Sequence, residues 1–110
     1  MARLNEVKLL GNLGDDPQYK KGEDGKASIC TIKLMVNRRK PKEGEAGVDG
    51  IYVKFFGKTA DTAGTYLKKG SGILVDDAQL RVEPYEKEGK TLWPMEVVGN
   101  SFQFLDKAEK

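Results

Sequence analysis

Histidine is absent from this sequence of 110 residues, and cysteine occurs once, as Cys30. Without histidine the chain lacks the commonest general base and the commonest metal ligand, so neither a zinc site nor a cysteine–histidine pair can be assembled. Carboxylates remain, but the adjacent Asp76 and Asp77 would point to opposite faces of a strand and could not flank one bond. We therefore expect a protein that is not an enzyme and that needs neither a metal nor a cofactor.

Disulfides and long apolar runs are missing as well. A lone cysteine excludes a disulfide within the chain, which fits a reducing compartment such as the cytoplasm. No stretch approaches the ~20 apolar residues of a membrane-spanning helix, and the N-terminus has no apolar segment typical of a signal peptide. We expect a cytoplasmic protein that makes no membrane contact.

The net charge is also small, at +2, although charged residues make up 33% of the chain. No strong basic field surrounds the whole molecule, so any binding of nucleic acid must come from charges arranged on one face. The length and the 38% of hydrophobic residues suit one folded domain. We expect that domain to cover residues 1–105, followed by a short frayed end over residues 106–110.

Alternation of apolar and polar residues predicts five β-strands. The alternating runs cover residues 5–13, 27–37, 51–56, 71–85 and 91–105. Polar, glycine-containing segments at 20–26 and 86–90 indicate hairpin turns, and the charged segment 38–50 indicates a long loop. Asp76-Asp77-Ala78 interrupts the alternation of the fourth run and predicts a β-bulge.

A short helix is predicted between the third and fourth runs. Thr59 can cap it, Ala63 and Leu67 repeat at helical spacing, and Gly70 follows two lysines as a stop signal. Three strands, a helix and two further strands is the element order of the OB-fold, a small Greek-key barrel of five strands. The sequence therefore predicts an all-β protein with this barrel and one helix between strands three and four.

The third strand carries the main functional signal. Its odd-numbered positions are apolar, whereas Tyr52, Lys54 and Phe56 occupy the opposite face. Exposed aromatic side chains stack on unpaired bases of any identity, and neighbouring lysines contact the phosphates. This face predicts binding of single-stranded nucleic acid; the alternative is that the aromatics pack beneath a loop or at a subunit contact.

Further cations and one further aromatic fall beside this face. Lys33 alternates to the exposed side of the second strand, and a basic run begins at Arg38, where that strand ends. Arg81 and Tyr85 are placed on the exposed side of the fourth strand. The candidate DNA-binding residues are Lys33, Arg38, Arg39, Lys40, Tyr52, Lys54, Phe56, Arg81 and Tyr85.

Several segments together resemble the bacterial and phage single-stranded DNA-binding protein family. They are LNEVKLLGNLGDDP, FFGKTADTAGTYLKKGS, AQLRVEPY and EVVGNSFQFL, spread over residues 4–105. The resemblance implies an OB-fold, a homotetramer with a dimer as the alternative, and sequence-independent wrapping of single-stranded DNA in replication, recombination or repair. It also implies that Phe56 and Tyr85 are stacking aromatics and that Lys33 faces the DNA.

The chain departs from the family pattern in three places. Gly50 and Lys40 stand where the family often has aromatics, so we expect less stacking, more phosphate contact and a steep salt dependence. The segment 73–78 is one residue longer than the usual pattern. We expect no acidic tail for recruiting replication and repair enzymes; the protein is either a natural short form or a shortened longer one.

Three other readings remain open at this stage. An OB-fold can instead bind structured RNA or serve as a replication-restart adaptor, since a fold does not fix a function. A structural assembly protein would place its aromatics at subunit contacts, and Leu10 on the outer side of the first strand points to some contact between copies. An enzyme is the third reading, and it lacks an assembled site.

Overall fold

Eight strands and one helix make up the part of the chain that the computed structural model describes, which is residues 3–40, 42–44 and 47–105. The frayed end expected at 106–110 lies outside these residues. The elements are β1 (Val7–Leu13), β2 (Gln18–Lys20), β3 (Ile29–Asn37), β4 (Val48–Phe56), α1 (Gly57–Tyr66), β5 (Gly72–Val82), β6 (Tyr85–Lys87), β7 (Lys90–Leu92) and β8 (Met95–Phe104).

The long strands close into a barrel. They follow the order β1-β5-β8-β4-β3, with the short β2 added beside β3, and β1 pairs back onto β3. β4 and β8 run parallel, and the other barrel pairs are antiparallel. Closure leaves few unpaired strand edges. The five-stranded barrel, with α1 between its third and fourth long strands, confirms the predicted OB-fold.

The core follows the period of two that the sequence shows. In β3 and in the second half of β4, buried positions alternate with half-buried or exposed ones, and α1 packs Ala60 and Ala63 into the same core. Phe55 is fully buried and packs against Gly99, where any Cβ would collide with its ring. The largest fully buried side chains are Phe55, Ile32, Leu34, Ile73, Val53, Val75 and Cys30.

The predicted bulge in the fourth long strand is confirmed. Val7 pairs with Ala78 and Leu9 with Val75, so β5 advances one residue more than β1 across this stretch. A second irregularity follows at Asp77, where β5 pairs with β8. The extra residue rotates the strand locally, as bulges do in small barrels.

Three expected segments near the hairpins differ from the structure; one is the run 91–105, which is divided into β7 (Lys90–Leu92) and β8 (Met95–Phe104). The turn expected at 20–26 begins later, because Gln18–Lys20 forms β2, which is too short to show alternation. The fourth run does not reach Tyr85, because Pro84 has no N–H to continue the ladder after β5 ends at Val82. Tyr85 instead opens a separate two-stranded sheet, β6–β7, whose turn is formed by Glu88 and Gly89 at φ 53° and 79°.

The helix also begins earlier than expected. Gly57, at φ 67°, turns the chain directly from β4 into α1, and the preceding Phe56 keeps extended backbone angles. Thr59 is therefore inside the helix and does not cap it; its hydroxyl donates to the Asn100 carbonyl at 3.1 Å. The third long strand also begins earlier than expected, because β4 starts at Val48. The loop expected at 38–50 therefore ends before residue 48.

Candidate nucleic-acid interface

The outer face of β3 and β4 carries exposed aromatic side chains and half-buried lysines. We call Lys33, Tyr52, Lys54 and Phe56 the aromatic–cationic face. Tyr52 is 62% exposed and Phe56 40% exposed, while Val53 and Phe55 between them are fully buried. Same-face residues two apart in a strand lie about 6.6–6.8 Å apart. The strand itself therefore presents two aromatic side chains with a lysine between them.

Strand pairing places a second row beside the first. Lys33 lies directly opposite Tyr52, Thr31 opposite Lys54, and Ile29 opposite Phe56. The Lys33 ammonium is 6.0 Å from the centre of the Tyr52 ring, at the outer limit of a cation–π contact. A base stacked on Tyr52 would thus have a cation next to its sugar–phosphate.

The short β2 extends this surface in a way that the sequence did not indicate. Lys20 pairs with Ile29, which in turn pairs with Phe56, so the three residues share one cross-strand row. Sequence reasoning missed Lys20 because its strand was read as part of a turn. The register of β2 on β3, and not the strand order alone, places Lys20 there.

β2 is held in place from the opposite side of the strand. The Tyr19 ring packs on Gly64 of α1, and its hydroxyl donates to the Asp61 carboxylate. That hydrogen bond raises the pKa of Tyr19 and lowers the pKa of Asp61. The contact anchors β2 to the helix and leaves Lys20 on the other face of the strand.

Two of the candidate DNA-binding cations, Lys54 and Arg81, form ion pairs with nearby carboxylates. The Lys54 ammonium lies 3.1 Å from a Glu96 carboxylate oxygen, and the Arg81 guanidinium lies 3.2 Å from Glu83. Arg81 is also directly opposite Glu96 in the β5–β8 ladder. The barrel surface across β4, β8 and β5 therefore alternates in charge and is not uniformly basic.

The basic run after β3 leaves the barrel at the end nearer to Tyr52. The Arg38 amide donates to the Gly47 carbonyl at 2.8 Å, and its guanidinium Nε donates to Asp49 at 3.0 Å. Arg39 and Lys40 are exposed in the bend that follows. Arg38 is thus tied to the start of β4, and the two following cations project from the loop.

Tyr85 lies outside the barrel sheet that carries the aromatic–cationic face. It pairs with Leu92 in the β6–β7 hairpin and is 49% exposed. Trp93 and Met95, which follow the hairpin, are 66% and 71% exposed. Strand pairing brings Lys33, Tyr52, Lys54 and Phe56 together; it puts Arg81 across β8 from them and Tyr85 on a separate projection.

A metal ion, a reactive thiol and a membrane would each need a different feature in the described residues. No group of three or more histidine, cysteine or carboxylate residues there is arranged to hold a metal ion. Burial raises the pKa of the Cys30 thiol, which lies in the core. None of the helices in the described ranges has the length and apolar character needed to span a membrane.

Comparison with known proteins gives a consistent result. The model of the Single-strand binding protein family matches residues 4–105. "Single-stranded DNA-binding protein 2" of Streptococcus agalactiae serotype III (strain NEM316) is 40% identical over 103 residues, which cover 93% of this chain and 77% of that protein. "Single-stranded DNA-binding protein 1" of Xylella fastidiosa (strain 9a5c) is 33% identical over 112 residues, covering 99% and 82%. The chain therefore belongs to the single-strand binding protein family.

Proposed function

We propose that this protein binds single-stranded DNA without reading its sequence and protects it during replication, recombination or repair. The observation that carries the proposal is the exposure of Tyr52 and Phe56 on one face of β4 with Lys54 between them. Aromatic side chains in this position bind any base, because every base has a π-face to stack. Membership of the single-strand binding protein family supports the same function.

The cations around this face supply the phosphate contacts. Lys33 stands beside Tyr52, and Arg38, Arg39 and Lys40 follow from the end of the same strand. Arg81 and Tyr85 lie farther along the surface and serve as outlying contacts for a strand that continues past β8. The family resemblance implies aromatics where this chain has Gly50 and Lys40, so charge contributes a larger share of the total binding energy and stacking a smaller one.

The protein acts by binding alone, as a homo-oligomer and not as an enzyme. Leu10 on the outer side of β1 is 56% exposed and pairs with Leu74 of β5. These two aliphatic side chains form a strip that a second copy of the chain can bury. We favour a tetramer, with a dimer as the alternative. The cytoplasm is its proposed location, because bacterial DNA is found there.

The deciding experiment is a fluorescence titration with oligo-dT, compared with duplex DNA and hairpin RNA of equal length. We expect oligo-dT to bind far more tightly than the duplex, whose bases are already stacked. Equal competition by duplex DNA would contradict the proposal, and equal competition by hairpin RNA would favour the RNA-binding reading.

A matched pair of tyrosines tests the location of the site. Tyr52 and Tyr66 are similarly exposed, at 62% and 68%, but Tyr66 lies at the end of α1. Tyr52→Ala should weaken binding by about 1–3 kcal/mol through the loss of one stacked base. Tyr66→Ala should leave the affinity unchanged, and equal losses in both would argue against the aromatic–cationic face.

A further inference from the structure

Glu96 occupies a position that is unusual for a carboxylate near a polyanion. It lies on β8 next to Lys54, which stands between Tyr52 and Phe56 on β4. Its carboxylate oxygen is 3.1 Å from the Lys54 ammonium, and the two side chains are 41% and 35% exposed. A negative charge therefore lies at the edge of the aromatic–cationic face, in contact with the lysine at its centre.

A carboxylate in this position and a DNA phosphate compete for the same donor. If the ion pair persisted in the complex, Lys54 would be neutralised within the protein and Glu96 would repel the nearby phosphates. Exposed ion pairs of this kind contribute only about 0–1 kcal/mol, so little opposes their exchange. The lysine side chain is flexible enough to turn from one acceptor to the other without backbone movement.

We propose that Glu96 is a positioning residue that pairs with the Lys54 ammonium in the free protein, and that a DNA phosphate replaces Glu96 in this ion pair when DNA binds. This inference rests on the proposed function. Glu96 acts through Lys54: it holds the ammonium toward β8 and competes with other anions for it. The released carboxylate then attracts solvent cations, which offsets part of the counterion release from the DNA. Lys54 therefore adds less to the salt dependence than an unpaired cation does.

A double-mutant cycle on oligo-dT binding tests the exchange. The four proteins are the wild type, Glu96→Gln, Lys54→Gln and the double variant, each titrated at several salt concentrations. Glu96→Gln should tighten binding more in the wild type than in Lys54→Gln, by about 1.5- to five-fold, the range of an exposed ion pair converted to a ratio. It should also steepen the logarithmic salt slope by up to about 0.7 when Lys54 is present, and not when it is absent.

The outcomes separate the proposals. General repulsion between Glu96 and the phosphates would give the same gain with and without Lys54, and that result overturns the exchange while leaving single-strand binding intact. Failure of the wild type to bind oligo-dT overturns both. Glu6→Gln is the charge-matched control, since Glu6 contacts no cation among the described residues, and it should leave the slope unchanged. Lys54→Met replaces Lys54→Gln if circular dichroism shows that the latter is unfolded.

Discussion

Two exposed sheet surfaces of the barrel differ in how they use their polar groups. The aromatic–cationic face presents ring faces and lysine ammonium groups outward. The outer surface of β1, β5 and β8, which we call the aliphatic face, bonds its polar groups to each other. There the Asp76 carboxylate accepts from Ser101 at 2.6 Å and Gln103 at 2.9 Å, and the Lys8 ammonium donates to the Asp76 carbonyl at 2.8 Å. Leu10 and Leu74 lie side by side on this face.

The contrast indicates two kinds of partner. Rings and exposed cations suit a ligand that brings π-faces and phosphates. Aliphatic side chains beside polar groups that are already hydrogen-bonded suit contact with another protein surface. Such a surface can be buried without leaving a hydrogen-bond donor or acceptor unpaired. Substitutions on one face should therefore change DNA binding, and substitutions on the other should change assembly.

The largest effect is expected from Leu10→Lys on the aliphatic face. Burying one leucine side chain contributes about 1.5–3 kcal/mol. A two-fold symmetric interface contains Leu10 from both copies, so the free energy of assembly should weaken by about 3–6 kcal/mol. Sedimentation should show smaller species at micromolar concentration. Leu92→Lys on the β6–β7 hairpin is the control, and wild-type sedimentation as a monomer would contradict the assignment of this face to assembly.

The next effect is expected from Phe56→Ala. Loss of one stacked base should weaken oligo-dT binding by about 1–3 kcal/mol while the thermal unfolding midpoint changes little. Phe104→Ala is the control, since Phe104 is 51% exposed and packs on Phe102 away from this face. If Phe56→Ala unfolds the protein instead, Phe56 supports the barrel and the two faces are not separate in function.

A smaller loss is expected from Tyr85→Ala. The ring is on the hairpin and not on the barrel sheet, so we expect it to contact only DNA that extends past the aromatic–cationic face. We expect a loss at the low end of about 1–3 kcal/mol, seen with long oligonucleotides and absent with short ones. A larger loss than that of Phe56→Ala would show that the hairpin is the main site.

Strand alternation predicted most of the barrel because it depends only on neighbouring residues. The buried set of β3 and β4 and the exposed Tyr52 and Phe56 follow directly from a period of two. Contacts between distant strands were not predictable: the pairing of Lys54 with Glu96 depends on the parallel register of β4 and β8. The position of Tyr85 was missed because Pro84, which ends the strand, was not weighed against the alternation.

The loop after β3 provides a test of charge against stacking on the aromatic–cationic face. The family resemblance leads us to expect an aromatic at the position of Lys40. Lys40→Trp should flatten the logarithmic salt slope of oligo-dT binding by about 0.7, because one phosphate contact is lost. It should also tighten binding at high salt through stacking. Lys40→Gln is the control that removes charge without adding a ring, and an unchanged slope in both variants would place the loop outside the DNA path.

The smallest effect concerns the polar groups of the aliphatic face. Hydrogen bonds from Ser101, which has the larger effect, and from Gln103 lower the pKa of Asp76 below its ordinary value. A carboxyl group whose pKa is lower in the folded protein than in the unfolded chain stabilises the fold above the unfolded-chain pKa of about 3.9. This stabilisation is lost as the pH falls through the pKa of the folded protein. Ser101→Ala should raise the Asp76 pKa, measured by carboxyl NMR titration, and should make unfolding less sensitive to acid. If the wild type and Ser101→Ala respond equally to acid, the hydrogen bond from Ser101 to Asp76 is not maintained in solution. The polar groups of this face would then be open to a ligand, and the contrast with the aromatic–cationic face would fail.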